Sequence, residues 1–312
     1  MKLSIFHLPR APLSLFILFA LVIAYLLLGA AAISRTSSSS KPPPENLQQW
    51  APLERSIDHP HTDEKYFNEA GNTLELSHYD GRYYRGEVPY EAHRDVLTQL
   101  IRSYLSVTSS LGLETWIAHG TLLGWWWNGR VMPWDYDLDA QVSIATLDSM
   151  AQHLNGTLHE WKYVLASEED TDDETYAERN TITKTYLLDI NPNYIEVDRM
   201  QGNNVIDARW IDVETGMFVD ITALVEREPD TMPGQWSCKN FHYYKTEDIW
   251  PLRETNFEGV EARIPFEFEN VLIAEYGEKA LVVTEWEGHR WHPDLKEWIR
   301  NGWNDTGLEK PL

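Results

Sequence analysis

After Pro133 the chain reads Trp134-Asp135-Tyr136-Asp137-Leu138-Asp139-Ala140-Gln141-Val142, and its polarity alternates with a period of two. On a strand, Asp135, Asp137, Asp139 and Gln141 project from one face while Tyr136, Leu138, Ala140 and Val142 pack on the other. The stretch therefore asks for a sheet with one buried face and one face open to a ligand. Three carboxylates in a row repel one another, which is costly unless a cation neutralises them. An alternate-position aspartate is also commonly a solvated strand face. Two neighbouring features weigh against that plainer reading.

The first lies just upstream. Thr115-Trp116-Ile117-Ala118 reads as a short apolar strand ending at His119-Gly120. Thr121 is a good N-cap for a helix over Leu122 to Trp127, and Asn128-Gly129 is a natural stop. A glycine followed by a hydroxyl residue at a helix start cradles phosphate, since free N–H groups and the helix dipole favour an anion there. The second feature is Asp220. Residues 205–213 and 217–224 flank Glu214-Thr215-Gly216, the composition of a hairpin with a short glycine-containing loop. Asp220 sits among Phe218, Val219 and Ile221, so it needs a partner: Arg209 across the hairpin, or a metal shared with Asp137 and Asp139. Two carboxylates one residue apart hold hard divalent ions through oxygen, and such ions clamp phosphate oxygens.

Between Pro89 and Leu111, Val96, Leu97, Leu100, Ile101, Tyr104 and Leu105 recur at helical spacing and form one apolar stripe for packing. Helix, strand and hairpin signals are mixed along the body, and neither an internal repeat nor a second linker interrupts it. The expected class is α/β (α+β), one domain over residues 52–312.

The front of the chain differs. Residues 11–33 carry no charge and as a helix would span about 35 Å at roughly 1.5 Å per residue, enough to cross a bilayer. Lys2 and Arg10 precede the run and favour a cytoplasmic tail at residues 1–10, with the body on the far side. A cleaved signal peptide is the competitor, and the run exceeds the usual h-region of about 7–15 residues. Residues 34–51, rich in Ser and Pro, read as a stem. The acceptor patterns Asn155-Gly156-Thr157 and Asn304-Asp305-Thr306 fit a luminal body. The expectation is a type II Golgi membrane protein anchored through residues 11–33.

Against 26 Lys and Arg stand 49 Asp and Glu, a formal charge of −23, which argues against a nucleic-acid partner. Cys238 is the single cysteine, so no intramolecular disulfide forms; with only Lys239 adjacent to activate it, it reads as a small buried hydrophobe. Residues 167–174, SEEDTDDE, read as a solvated acidic loop. Trp125, Trp126 and Trp127 either stack a sugar or base or pack the core; adjacent helical positions diverge, so at least one is core.

The block HGTLLGWWWNGRVMPWDYDLD, residues 119–139, resembles the signature of the LicD and fukutin-related family, most of all its fungal members involved in mannosylphosphate transfer. Residues 204–224, 238–265 and the EYG at 275–277 are similar to further family stretches, and the resemblance covers roughly residues 78–300. It implies a nucleotidyltransferase-like mixed sheet flanked by helices. It also implies a metal, Mn or Mg, on Asp137, Asp139 and Asp220, which form the catalytic set, with Gly120 and Thr121 facing the donor phosphates. Arg209, Arg253 and His242 fall in family-like stretches and read as donor or acceptor contacts, with a structural role for His242 and Arg253 left open.

Three functions follow. The leading one is a metal-dependent phosphotransferase that moves mannose-phosphate from GDP-mannose onto a mannan or glycoprotein glycan. One of the carboxylates or His119 would take the acceptor proton. The second is a metal-dependent Golgi glycosyltransferase whose product lacks phosphate. The third is a non-catalytic regulatory partner of a mannosylphosphate transferase, acting in a transferase complex.

Overall fold

The apolar stripe of the first helix folds as expected. Helix α1 spans Tyr90–Ser110 and buries Leu97, Leu100, Ile101 and Tyr104 completely. Each such side chain contributes about 1.5–3 kcal/mol of burial. Gly112, at φ +69, follows the helix and turns the chain into strand β1, Thr115–Ile117. The structure is a computed structural model; it describes residues 64–164, 181–197 and 203–302, all within the unit Trp50–Leu312. The expected anchor at 11–33, stem at 34–51, acidic loop at 167–174 and acceptor site at Asn304 lie outside the described residues. Among those described, no helix is long and apolar enough to cross a membrane.

Helix α2, His119–Asn128, leads to strand β2, Leu138–Ser143, and helix α3, Ile144–His153. Strands β3 (Thr157–Val164), β4 (Thr181–Ile190), β5 (Ala208–Asp212) and β6 (Phe218–Glu226) complete a sheet ordered β1-β2-β6-β5-β4-β3. The β2–β6 pair is parallel and the other neighbours are antiparallel, so this is a mixed sheet. Strands β7 (Gln235–Ser237) and β8 (Tyr243–Lys245) extend it beyond the end of β6, and the one-turn helix α4, Thr246–Ile249, follows. Then come the ribbon β9 (Arg253–Phe257) and β10 (Val260–Ile264), helix α5 (Phe268–Tyr276), and a separate three-stranded ribbon of β11 (Glu285–Trp286), β12 (His289–His292) and β13 (Glu297–Arg300). Helix α1 packs on β5 and β6, and α3 on β2 and β6.

The period of two sorts the sheet's side chains. Leu138, Ala140 and Val142 on β2, Val219 and Ile221 on β6, and Trp210 on β5 all enter the main core. Trp210 meets α1, where its Nε1 donates to Ser103 Oγ at 2.9 Å. The residues between them face the other way.

Two local expectations are corrected. Strand β2 begins at Leu138, so Asp135 and Asp137 lie on the approach to it; a turn in which Asp135 N–H donates to Met132 O precedes them. Pro133, inside that turn, has no N–H to give a ladder. Thr121 is not an N-cap. Helix α2 starts three residues earlier with Ala118 as N-cap, and the Thr121 hydroxyl is turned inward to accept from Asp139 N–H at 2.8 Å. Gly129 in left-handed conformation ends α2 as read. The hairpin also stands: Asp212 accepts from Glu214 N–H, and Gly216 sits at φ +86 with the Tyr84 backbone only 3.0 Å from where a Cβ would be.

His159 on β3 is buried against Trp210, and burial lowers its pKa to about 4. The unfolded histidine takes up a proton near pH 6.5. Unfolding then binds a proton that the native state refuses, so stability is lost as pH falls from about 6.5 through about 4. Denaturant unfolding across that window will show a shallower acid limb for His159→Phe than for the unaltered chain; equal limbs would place the titration elsewhere.

Candidate active site

Residues directly paired on neighbouring strands share a face, and one such row crosses four strands. Asp189 on β4 pairs with Arg209 on β5, Arg209 with Asp220 on β6, and Asp220 with Asp139 on β2. Arg209 is 2% exposed and is surrounded by acids. Its Nε donates to Asp220 Oδ1 at 2.8 Å and its Nη2 to Glu69 Oε1 at 3.0 Å, while Asp80 Oδ2 lies 3.9 Å from Nη1. The guanidinium lies 3.6 Å above the Phe218 ring centroid. Arg82 closes the other end, bidentate on Asp80 at 2.8 and 2.7 Å and donating to Asp189 at 2.6 Å. The expected partner of Asp220 across the hairpin is therefore present. With Nε and Nη2 spent on neighbouring acids, Arg209 holds the site together from within.

Asp139 ends the row without an arginine. Burial first, then the charge of Asp137, holds its pKa well above the usual carboxylate range, and Asp220 and Asp135 add to the effect. Burial and Asp137 likewise push Asp135 up to about 8. Burial raises Asp220 too, with Arg209 opposing it. Asp137 is the accessible member, its side chain 47% exposed, with His78 Nε2 3.7 Å from Oδ2. The donor set is made of hard oxygens and its local charge is unbalanced, which suits Mn or Mg. Among the described residues no three His, Cys, Asp or Glu side chains already stand as a metal centre, so a cation would draw these carboxylates together.

His119 opens α2 at φ +49, a left-handed backbone uncommon for a residue with a side chain. Its Nδ1 lies 2.9 Å from Glu275 Oε2 on α5, and Glu275 Oε1 accepts from Tyr244 OH at 2.8 Å. A carboxylate only accepts, which puts the imidazole proton on Nδ1. Burial works against the imidazolium, yet the Glu275 hydrogen bond and the charges of Asp139 and Asp137 leave the His119 pKa raised. The His242 ring lies 4.4 Å from that of His119, and its Nδ1 is 3.3 Å from Cys238 Sγ. Cys238 is buried as expected, and burial raises its thiol pKa.

Two cavities meet at Asp137. The larger, about 860 Å³, also reaches Gly120, Asp135 and Asp139, and Trp127 lines its wall. The other, about 460 Å³, is polar and reaches Asp220, Arg209, Glu69 and His78. Gly120 thus faces the site, whereas the Thr121 hydroxyl is occupied by the β2 backbone. Trp125 is structural: it packs on Phe268 and its Nε1 donates to Thr255 Oγ1. Arg253 stands on β9 with its guanidinium 4.4 Å over Phe266, and it lines neither cavity.

Glu69, Asp80, Arg82, Asp189 and Glu275 were not singled out from the sequence. Glu275 had a signal in the Glu275-Tyr276-Gly277 stretch; the other four lie far apart in the chain or in turns, and only the fold brings them to Arg209 and Asp220.

Removing Arg209 while leaving its acids is expected to cost about 3–5 kcal/mol, the usual result of orphaning one side of a buried pair. Urea unfolding of Arg209→Met measures this. Arg209→Lys should recover little, since an ammonium cannot fork to Asp220 and Glu69; a loss under about 1 kcal/mol in both would sink the bracing role.

The LicD/FKTN/FKRP, nucleotidyltransferase domain description matches residues 112–267, half of the chain. Among curated proteins, Mannosyltransferase regulator 4 of Saccharomyces cerevisiae is 30% identical over 172 residues, covering 53% of this chain and 13% of that protein. Mannosyltransferase regulator 14 of the same yeast is 30% identical over 176 residues, covering 53% of this chain and 17% of its own. The match thus spans less than a fifth of either relative's length.

Proposed function

Because the chain belongs to the LicD/FKTN/FKRP nucleotidyltransferase-domain family, we propose that it is a glycan-modifying phosphotransferase, moving mannose-phosphate from GDP-mannose to a glycan hydroxyl. The observation that carries the reading is Asp139, beside Asp137 and opposite Asp220, with no arginine to balance it, in a cavity with room for a substrate. A divalent cation on Asp137, Asp139 and Asp220 would supply neutralisation of charge at the transferred phosphoryl group.

The acceptor oxygen forms a bond to the sugar-linked phosphorus, the phosphoanhydride bond breaks, and the nucleoside monophosphate leaves. The acceptor proton passes to a carboxylate of the cluster or to His119, which Glu275 holds in one tautomer. Gly120 leaves the cavity wall open beside Asp135: even an added Cβ would stand 3.5 Å from Asp135 Oδ2. Thr121 acts from behind by fixing the backbone of Asp139. The uncharged run at 11–33 and the acceptor pattern at Asn155 support a Golgi membrane setting with a luminal body.

A second reading has its own support. Both yeast relatives are named mannosyltransferase regulators, which favours a partner role beside another transferase.

The full-length chain in detergent, given manganese, GDP-mannose and a mannan oligosaccharide, is expected to yield a product heavier by one hexose and one phosphate. Asp137→Asn and Asp139→Asn should each lower the rate at least about a hundredfold, an order expected for lost charge stabilisation. A product heavier by hexose alone would make it a glycosyltransferase. Absence of any product, with activity appearing only in the presence of a partner transferase, would favour the regulator.

A further inference from the structure

The larger cavity is walled on its far side by residues beyond 267, where the family match ends. Trp286, Trp298 and Arg300 come from the β11–β13 ribbon, and Lys279 from the segment that joins α5 to it. Trp127 and Trp134 face them from the family segment. Trp298 locks the two sides together, its ring centroid 4.8 Å from Trp127 and 5.0 Å from Trp134. Trp286 is different. It is 57% exposed and makes no ring contact among the described residues, although it lines the cavity.

The cations of the two cavities also differ. In the polar cavity Lys65 is paired with Glu69, and Arg209 with Asp220 and Glu69. Lys279 and Arg300 in the aromatic cavity enter no ion pair among the described residues; Arg300 is held only by lying 4.7 Å over the Tyr90 ring. In a chain of formal charge −23, these two cations beside a carboxylate cluster have no acid partner among the described residues. A neutral sugar would use the aromatic faces and leave both cations idle. A nucleoside diphosphate uses both, stacking its base on an indole and setting its phosphates against the cations.

We infer that the aromatic cavity is a nucleoside diphosphate subsite in which Trp286 stacks the base and Lys279 and Arg300 neutralise the diphosphate, with Asp137 and Asp139 at its inner end. The inference rests on the proposed transfer reaction for its orientation, but binding tests it without turnover. All three side chains are exposed, so their removal leaves the core intact.

The full-length chain in detergent is titrated with GDP, CDP and UDP, with and without manganese, by calorimetry and tryptophan fluorescence. At least one nucleotide is expected to bind and to change the fluorescence. Trp286→Ala should weaken that binding about tenfold, the order of one lost stacking partner. Lys279→Ala and Arg300→Ala should each weaken it and flatten its salt dependence. Asn72→Ala, on the exposed wall of the polar cavity, should leave the affinity unchanged. No binding by any nucleotide, or binding that Trp286→Ala and Lys279→Ala leave intact, overturns the subsite. Binding lost in these variants while the unaltered chain transfers nothing would keep the subsite and reject the transferase. Transfer that continues with unaltered KM for the donor in Trp286→Ala would do the reverse.

Discussion

Everything at the candidate site depends on the register of the parallel pair β2 and β6. Strands β2 and β6 are joined so that Asp139 stands opposite Asp220. A slip of one residue would turn a whole strand over, sending Asp220 into the core and Val219 out of it. The apolar set Leu138, Ala140, Val142, Val219 and Ile221 prevents that slip, because those side chains are buried almost completely on the opposite face. The hydrophobic face thus fixes the acidic face, and the hairpin into β6 carries the register on to Arg209.

Along the resulting row the charges are treated unequally. Asp189 and Asp80 share Arg82, and Asp220 and Glu69 share Arg209. These acids hold the loop around residues 64–84 against the sheet, as the chain from Asp80 to Tyr84 closes over Gly216 so tightly that a Cβ there would crowd its backbone. At Asp139 the compensation stops, and its neighbour His119 stands in a left-handed backbone with its ring bound to Glu275. Strain and unbalanced charge coincide within two elements, β2 and the start of α2. Structural acids elsewhere in the row have their arginines, so the imbalance belongs to the site and not to the acidity of the chain.

Much of this was legible in the residues. Period-two alternation identified β2 and its acids, the Glu214-Thr215-Gly216 turn identified the hairpin, and burial of Asp220 asked for either Arg209 or a metal, of which Arg209 is in place. Where the reading slipped, the cause was local. Thr121 looks like an N-cap because hydroxyl residues usually serve that way, but tertiary pairing with β2 gave its oxygen a better donor in Asp139 N–H. Alternation continued through Asp135 and Asp137, although the turn at Pro133 delays the ladder to Leu138. Arg253, whose family-like stretch left both a contact and a structural role open, lies over Phe266, where an apolar ring face and a guanidinium satisfy each other without an acid. Glu69, Arg82 and Asp189 were out of reach, because a charge network assembled from three remote segments leaves no periodicity to detect.

The contrast between paired and unpaired acids also bears on whether the chain catalyses or regulates. A carboxylate whose pKa is raised by burial and like-charged neighbours destabilises the native state at neutral pH, because unfolding lets it ionise freely. Asp135 and Asp139 both carry that penalty, and at Asp139 the nearby His119 works against it. Asparagine would fill nearly the same volume there without the repulsion. For a protein that served only as a binding partner, the cluster would be a liability with no return. For one that takes up a divalent cation and a phosphorylated donor, the same cluster is neutralised at the moment of use, and an arginine in its midst would obstruct it. On physical grounds the uncompensated end of the row favours chemistry over scaffolding.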